Sequence, residues 1–308
     1  MSLHRLILLW LVAGGLNAYA LAPNSGADET TRWTMLMVTP NDDVADCHLI
    51  RFPDGRIVLI DAGKLGDSHH AVLDQLKAQH ITALDLVIIS HWHIDHYGAL
   101  EDIMEAGIAI KAVAGNVPAQ ASANLEIPWG TNLAHVSIVL KKLADRHIPY
   151  FTPRMGERLI ETRTAQGTPV SLEVICRFDG LHSPLGLTNV NDTSMIIRLS
   201  HGSTRALFTG DAGPKLGDYL VRNNFDLRAD IIKTPHHGAE GAPSAEFFDQ
   251  VEARAMLVSC PKSLWSSPRN MRIRNYYIEH AIPSYVSSMR GNVTVNLMNQ
   301  DFTIETER

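Results

Sequence analysis

The stretch Ile88-Ile89-Ser90-His91-Trp92-His93-Ile94-Asp95-His96-Tyr97-Gly98 decides how the rest of the chain is read. Three histidines and an aspartate fall between positions 91 and 96, directly behind the apolar run Leu86 to Ile89. That run reads as a buried strand. Tyr97 to Ala106, with Leu100, Ile103 and Met104 at helical spacing, reads as a helix. The cluster therefore sits on a tight strand-to-helix turn, where side chains converge. His91 and His93 are two positions apart, so an extended backbone turns both to one side. Asp95 and His96 follow where the chain turns, and face a second point beside the first. Imidazole nitrogen and carboxylate oxygen suit zinc, manganese or iron. A polar surface loop uses the same residue types. Ligand-type side chains in H-x-H-x-D-H order behind a buried strand fit two divalent metal ions in one pocket instead.

Two later stretches carry the same residue types at strand ends. Arg205 to Thr209 reads as a strand, and Gly210 lets the backbone turn. The Asp211 carboxylate then lands where it can bridge two cations, or cap the helix Leu216 to Val221. Pro235-His236-His237-Gly238 follows the strand Ala229 to Lys233. His237, directly before the permissive glycine, is placed as a metal ligand. His236 is a second candidate ligand, a support for the first, or a proton donor.

H-x-H-x-D-H after a strand resembles the signature of the metallo-β-lactamase fold. Asn191 to Leu199, Leu207-Phe208-Thr209-Gly210-Asp211 and Ile232 to Gly238 make the order and spacing similar to the hydrolase domain of ComEC-type competence proteins and its free-standing relatives. The similarity runs from about Leu36 to Thr303. It implies an α/β (α+β) fold, a single-domain four-layer αβ/βα sandwich. It also implies a metal set of His91, His93, Asp95, His96, Asp211 and one or both of His236 and His237. Asp95 and His237 would serve catalysis as well. Sites of this kind add a third histidine, and the resemblance puts His182 there, ahead of the competing His135, His147 and His201. Asp61, closing the strand Arg56 to Ile60, takes the place of an aspartate that supports the metal loop; a plain turn residue is its other reading.

Two departures from the family pattern stand out. The Gly-rich Val-Gly-Gln-Gly-Asp-Ala segment is replaced by Val38 to Cys47, with only Asp46 in register. Ser267 stands where relatives commonly carry a histidine before a proline. Arg269, Arg272 and Lys262 are the nearby positive charges, and solvated helix-end charge is their plainer role.

The first 20 residues have the three-part layout of a secretory signal peptide: Arg5, the apolar run Leu6 to Ala13, then Ala18-Tyr19-Ala20 before a cut. The apolar run is short for a membrane anchor, which needs about 20 residues. The expected organisation is a signal over 1–20, a flexible lead-in over 21–33 and one hydrolase domain over 34–308. The expected location is periplasmic or extracellular, with no membrane contact after cleavage.

With 27 Lys and Arg against 33 Asp and Glu, the chain lacks the broad basic face that duplex nucleic acid calls for. A small-molecule or oligonucleotide-like substrate is expected instead. The cysteines Cys47, Cys176 and Cys260 are too few and scattered for a disulfide framework; Cys176 and Cys260 read as buried small hydrophobes, and a bridge between one pair in an oxidising compartment is the alternative. The aperiodic Asn116 to Thr131 is expected to be a loop near the pocket, with Trp129 against it.

Two divalent cations, zinc first and manganese or iron as alternatives, bridged by hydroxide would make a nucleophile at neutral pH. The expected function is a secreted hydrolase of phosphate esters or phosphodiesters. A β-lactam or lactone hydrolase and a non-catalytic metal-binding module are the competing readings.

Overall fold

The computed structural model describes residues 29–40, 42–65, 69–128 and 130–308. The signal reading over 1–20, most of the lead-in and Trp129 lie outside them.

The architecture follows from how the apolar strands are covered. Leu86–Ile89 is buried at every position. Leu86 and Ile88 point into one apolar cluster, and Val87 and Ile89 into another. Ile231 and Ile232 divide in the same way, as do Leu257 and Met256. A strand with both faces buried belongs to a sheet with a layer on each side. The middle cluster joins two sheets face to face, with Trp33, Ile60 and Ile88 of one meeting Leu172, Ile197 and Phe208 of the other. Helices cover the outer faces. The helices His69–Ala78, Leu100–Glu105 and Leu133–Asp145 pack on the first sheet, and Pro214–Arg222, Ala245–Val251 and Met271–Glu279 on the second. This is the four-layer αβ/βα sandwich expected, in a single domain.

The first sheet has eight strands, in the order Phe302–Thr306, Val293–Leu297, Thr31–Met35, His48–Arg51, Ile57–Ile60, Leu86–Ile89, Val113–Gly115 and Tyr150–Phe151. The last four run parallel. The second sheet has seven, in the order Ser284–Val286, Ala255–Val258, Ile231–Lys233, Thr204–Phe208, Ile196–His201, Pro169–Cys176 and Arg158–Arg163, and its first four run parallel. Loops leaving the carboxyl ends of parallel strands are where open α/β sheets place their sites. Here these are the loops after Ile60, Ile89, Gly115, Phe208, Lys233 and Val258.

Two local readings shift. The first strand is Thr31–Met35 rather than Met35 to Val38, because Trp33 and Met35 bury between the sheets and pair with both Val293–Leu297 and His48–Arg51. It takes in part of the stretch read as lead-in. The helix after the motif begins inside it, at Ile94–Tyr97, and resumes at Leu100–Glu105. The three cysteines are free and buried.

Candidate metal centre

Each histidine of the cluster is held by one ring nitrogen so that the other points inward. His96 donates through Nδ1 to Asp61 Oδ2 at 2.8 Å. Its buried Nε2 has no hydrogen-bond partner and lies 3.3 Å from Asp211 Oδ1. His237 donates through Nδ1 to the Ser259 carbonyl at 2.8 Å. Its Nε2, also without a partner, lies 3.2 Å from Asp211 Oδ2 and 3.5 Å from Asp95 Oδ2. Ser90 Oγ donates to Asp61 Oδ2 and therefore accepts from His91 Nδ1 at 3.2 Å. His93 donates through Nε2 to Glu126 Oε2 at 2.7 Å. That leaves His91 Nε2 and His93 Nδ1 facing each other at 3.1 Å, lone pair to lone pair when both rings are neutral and bridged by one hydrogen when His93 is protonated. A divalent cation that displaces that hydrogen would find both nitrogens aimed at it. Two Zn–N bonds of about 2.0–2.1 Å at a tetrahedral angle span close to that separation.

Two donor sets result. The first joins His91 Nε2 and His93 Nδ1. The second joins Asp95, His96 Nε2, Asp211 and His237 Nε2. The His91 and His96 rings are only 4.1 Å apart, so the sets are adjacent. The protein's own atoms thus fit divalent cations.

The backbone is bent to make this possible. Asp61, His236 and His237 all lie in the left-handed region, at φ 60°, 49° and 54°. Each such residue costs roughly 1–3 kcal/mol and persists only where its surroundings hold it. Gly210, at φ 51°, has no room for a side chain: a Cβ would stand 2.8 Å from Ser194 Oγ and 2.9 Å from Ser90 Oγ. Ser194 Oγ in turn accepts from the Asp211 amide at 3.0 Å, which aims the carboxylate.

Under the second set lies a buried ion pair. Lys233 Nζ contacts Asp46 Oδ2, donates to the Gly210 carbonyl at 2.7 Å and sits 3.2 Å from Asp211 Oδ1. Asp46, His96, Asp211 and His237 are all close enough to hold an ion. Asp46, however, reaches His96 and His237 on their Nδ1 sides, at 3.7 Å each, where both rings carry hydrogen. Asp95 reaches their Nε2 sides. We therefore place Asp95 in the second set and Asp46 beneath it as the counter-charge of Lys233.

The electrostatics favour cations. Burial alone would lower His237, but Asp211 and Asp46 outweigh it and push the ring up to about 10. Burial works against His96 in the same way, and Asp211, Asp61 and Asp95 overcome it. Burial would raise the Asp46 and Asp211 carboxyls, yet the neighbouring positive groups hold both well below the usual carboxylate range. His91 goes the other way. Burial first, and then the neighbouring His96 and His93, keep it neutral, the form that binds metal.

The metallo-beta-lactamase superfamily model matches residues 40–261. The chain belongs to the metallo-beta-lactamase superfamily. It is a metal-dependent hydrolase of that superfamily, and the histidine–aspartate cluster is its candidate metal site. ComE operon protein 3 of Bacillus subtilis is 24% identical over 111 residues, covering 36% of this chain and 14% of that protein. Uncharacterized protein YcaI of Escherichia coli is 23% identical over 305 residues, covering 96% of this chain and 34% of that protein. The chain thus spans about a third or less of the curated relatives it matches. CmlA of Streptomyces venezuelae, described as a diiron β-hydroxylase, superposes with a TM-score of 0.54 at 12% identity, covering 88% of this chain and 54% of that one. At that identity the likeness concerns the fold.

This superfamily member brings together His91, His93, Asp95, His96, Asp211 and His237. His236 lines the same cleft but is not in either donor set. Its ring is depressed by burial. His182 stands apart: its side chain is 80% exposed, and Asp179 holds both its amide, at 2.7 Å, and its Nδ1, at 2.8 Å. Asn191 lines the cleft with His93, Asp95 and Asp211, and its buried Oδ1 has no hydrogen-bond partner. Asp61 supports the metal loop, through Ser90 and His96. Of the three basic residues near Ser267, Arg269 lines the cleft, with its Nε held by Glu240 at 2.6 Å. Arg272 is spent on the Ala242 and Pro243 carbonyls.

Lys233, Glu126 and Asn191 escaped the sequence reading. Lys233 left a trace, as a charge closing the apolar run Ile231-Ile232. Asn191 opened a quoted motif without being assigned a role. Glu126, in an aperiodic loop, left none.

Proposed function

We propose that this enzyme hydrolyses phosphate esters, phosphodiesters above all, at a two-cation centre, with zinc as the first candidate and manganese or iron as alternatives. The observation that carries the reading is the pair of adjacent donor sets, each with its lone pairs aimed inward by hydrogen bonds on the far side of the ring. Bound there, divalent cations supply a nucleophile from water at neutral pH and polarise the bond to be cut. The chain's own residues do the rest. Asp95, Asp211, His96 and His237 position the reacting oxygens. Lys233 and Asp46 keep the Asp211 carboxylate fixed and ionised. Arg269 and His236 line the cleft, whose volume of about 250 Å³ accepts a phosphoryl group and parts of its two substituents. The absence of a basic surplus supports a small or single-stranded substrate over a duplex.

The test is turnover of bis-p-nitrophenyl phosphate and of single-stranded DNA and RNA by metal-loaded protein. Turnover that disappears in Asp95→Ala is expected. Inactivity on all of these, with turnover of nitrocefin or a lactone, would give the site to acyl-bond hydrolysis.

We propose also that the protein is exported, on the strength of Arg5, the Leu6 to Ala13 run and Ala18-Tyr19-Ala20. N-terminal sequencing of protein recovered from outside the cytoplasm should begin at Leu21; an uncleaved Met1 would overturn this. Among the described residues no helix is long and apolar enough to cross a membrane.

A further inference from the structure

Glu126 has a carboxylate with no Lys or Arg partner, yet it is buried to 1% exposure. Among the described residues, its one ion-pair partner is His93. A buried carboxylate costs several kcal/mol unless its oxygens are satisfied. Here both are. Oε2 accepts from His93 Nε2 at 2.7 Å and, more weakly, from the Thr131 amide at 3.5 Å. Oε1 accepts from the Val190 amide at 2.8 Å. The loop is shaped around the side chain. Gly130 donates its amide to the Glu126 carbonyl at 2.8 Å, and a Cβ on Gly130 would stand 2.1 Å from Glu126 Cβ and 2.3 Å from Oε2. Thr131 Oγ1 then ties the loop to the Trp92 carbonyl at 2.9 Å, between the two motif histidines.

One carboxylate therefore touches both sides of the first donor set. By holding Nε2–H of His93 it fixes the tautomer with the lone pair on Nδ1, 3.1 Å from His91 Nε2. By holding Val190 it fixes the residue before Asn191, whose unpartnered Oδ1 faces the same cleft. The second donor set has its own supports, Asp61 and the Ser259 carbonyl, and does not use Glu126.

We propose that Glu126 is the positioning residue of the first cation place, acting through His93 and the Val190–Asn191 backbone. This rests on the two-cation reading above. Outer carboxylates that orient a ligand histidine are worth about 10–100-fold in metal affinity. Glu126→Ala and Glu126→Gln should therefore weaken cation affinity at the His91–His93 place, the weaker of the two, by about that factor, while affinity at the other place stays within about twofold. The glutamine keeps the size and can still accept from His93, but its amide then meets the Val190 N–H donor to donor. Its loss should be the smaller of the two.

The experiment is titration of chelator-treated wild type and both variants with zinc, followed by cobalt(II) absorption spectra. Ring ¹⁵N NMR of His93 in alkaline buffer reads the tautomer without any metal: Nε2–H in the wild type, a mixture in Glu126→Ala. Wild type binding fewer than two cations would sink the two-cation reading itself. Wild type binding two, with unchanged affinities and an unchanged His93 tautomer in both variants, would overturn only the role of Glu126. Variants that lose both places together, or their fold, would make Glu126 a strut of the loops and overturn it as well.

Discussion

The two halves of the centre are built by opposite means. The first place is made of two imidazoles, His91, kept neutral by burial, and His93, whose ring is raised against burial by the single carboxylate behind it, Glu126. The second place is crowded with charge: Asp95 and Asp211 meet the inward nitrogens of His96 and His237, and the Asp46–Lys233 pair lies underneath. Local charge density therefore differs sharply over a ring separation of 4.1 Å. A divalent cation entering the second place neutralises carboxylates that the fold has already desolvated. One entering the first place finds donors but little charge. The second should fill first and hold tighter.

The largest effect expected concerns Lys233. Removing one partner of a buried ion pair leaves an uncompensated charge and costs about 3–5 kcal/mol. Lys233→Ala should lose stability of that order in urea unfolding of chelator-treated protein. A divalent cation added in excess should return part of it, because it supplies the missing positive charge. A loss under about 1 kcal/mol would mean that Asp46 and Asp211 do not depend on Lys233 as drawn.

Next comes Asp95, which belongs to the second place alone. Asp95→Ala should lower kcat/KM at least about 100-fold, or about 2.7 kcal/mol in barrier terms. It should also abolish the tighter of the two cation affinities. Loss of the weaker one instead would reverse the comparison.

The pH response separates the places further. His237, raised to about 10, and His96, raised in the same sense, gain stability from their protons in the folded protein. A raised folded pKa means that this contribution is complete below the unfolded value, near 6.5, and is lost as pH climbs through about 10. Chelator-treated protein should thus become less stable from neutral to alkaline pH. A cation must displace those protons, so affinity at the second place should rise with pH across the same window. At the first place His91, held neutral by burial, has no proton to give up, and only His93, raised by Glu126, releases one, so proton release there should be smaller than at the second place, where both His96 and His237 are raised. Calorimetric titration in buffers of different ionisation enthalpy measures both. Equal proton release at the two places would break the contrast.

The smallest effect is a control. His182 lies outside both places, so His182→Ala should leave stability within about 0.5 kcal/mol and both cation affinities within about twofold.

How much could be read in advance follows the same line. The turn after Leu86–Ile89 was legible because its ligands are contiguous and the strand before it is uniformly apolar. Asp211 and His237 were legible because Gly210 and Gly238 mark the turns that expose them. His182 misled because a histidine before a proline in a polar loop has the right composition, while Asp179, three residues earlier, was free to claim it. Asn191, which lines the cleft, carries no signal of its own in the sequence because an amide is a weak ligand type. Lys233 and Glu126 depend on contacts across 187 and 64 positions of sequence, with Asp46 and Val190 respectively. No local pattern encodes such distances. The start of the first strand was misplaced for a like reason, since Trp33 owes its burial to strands at both ends of the chain.

The most direct measurement is anomalous scattering from crystals grown with zinc, collected on both sides of its absorption edge. Two peaks are expected: one between His91 Nε2 and His93 Nδ1, and one, the better occupied, among Asp95, His96, Asp211 and His237. A single peak bound through Asp46, or no peak within reach of these side chains, would contradict it.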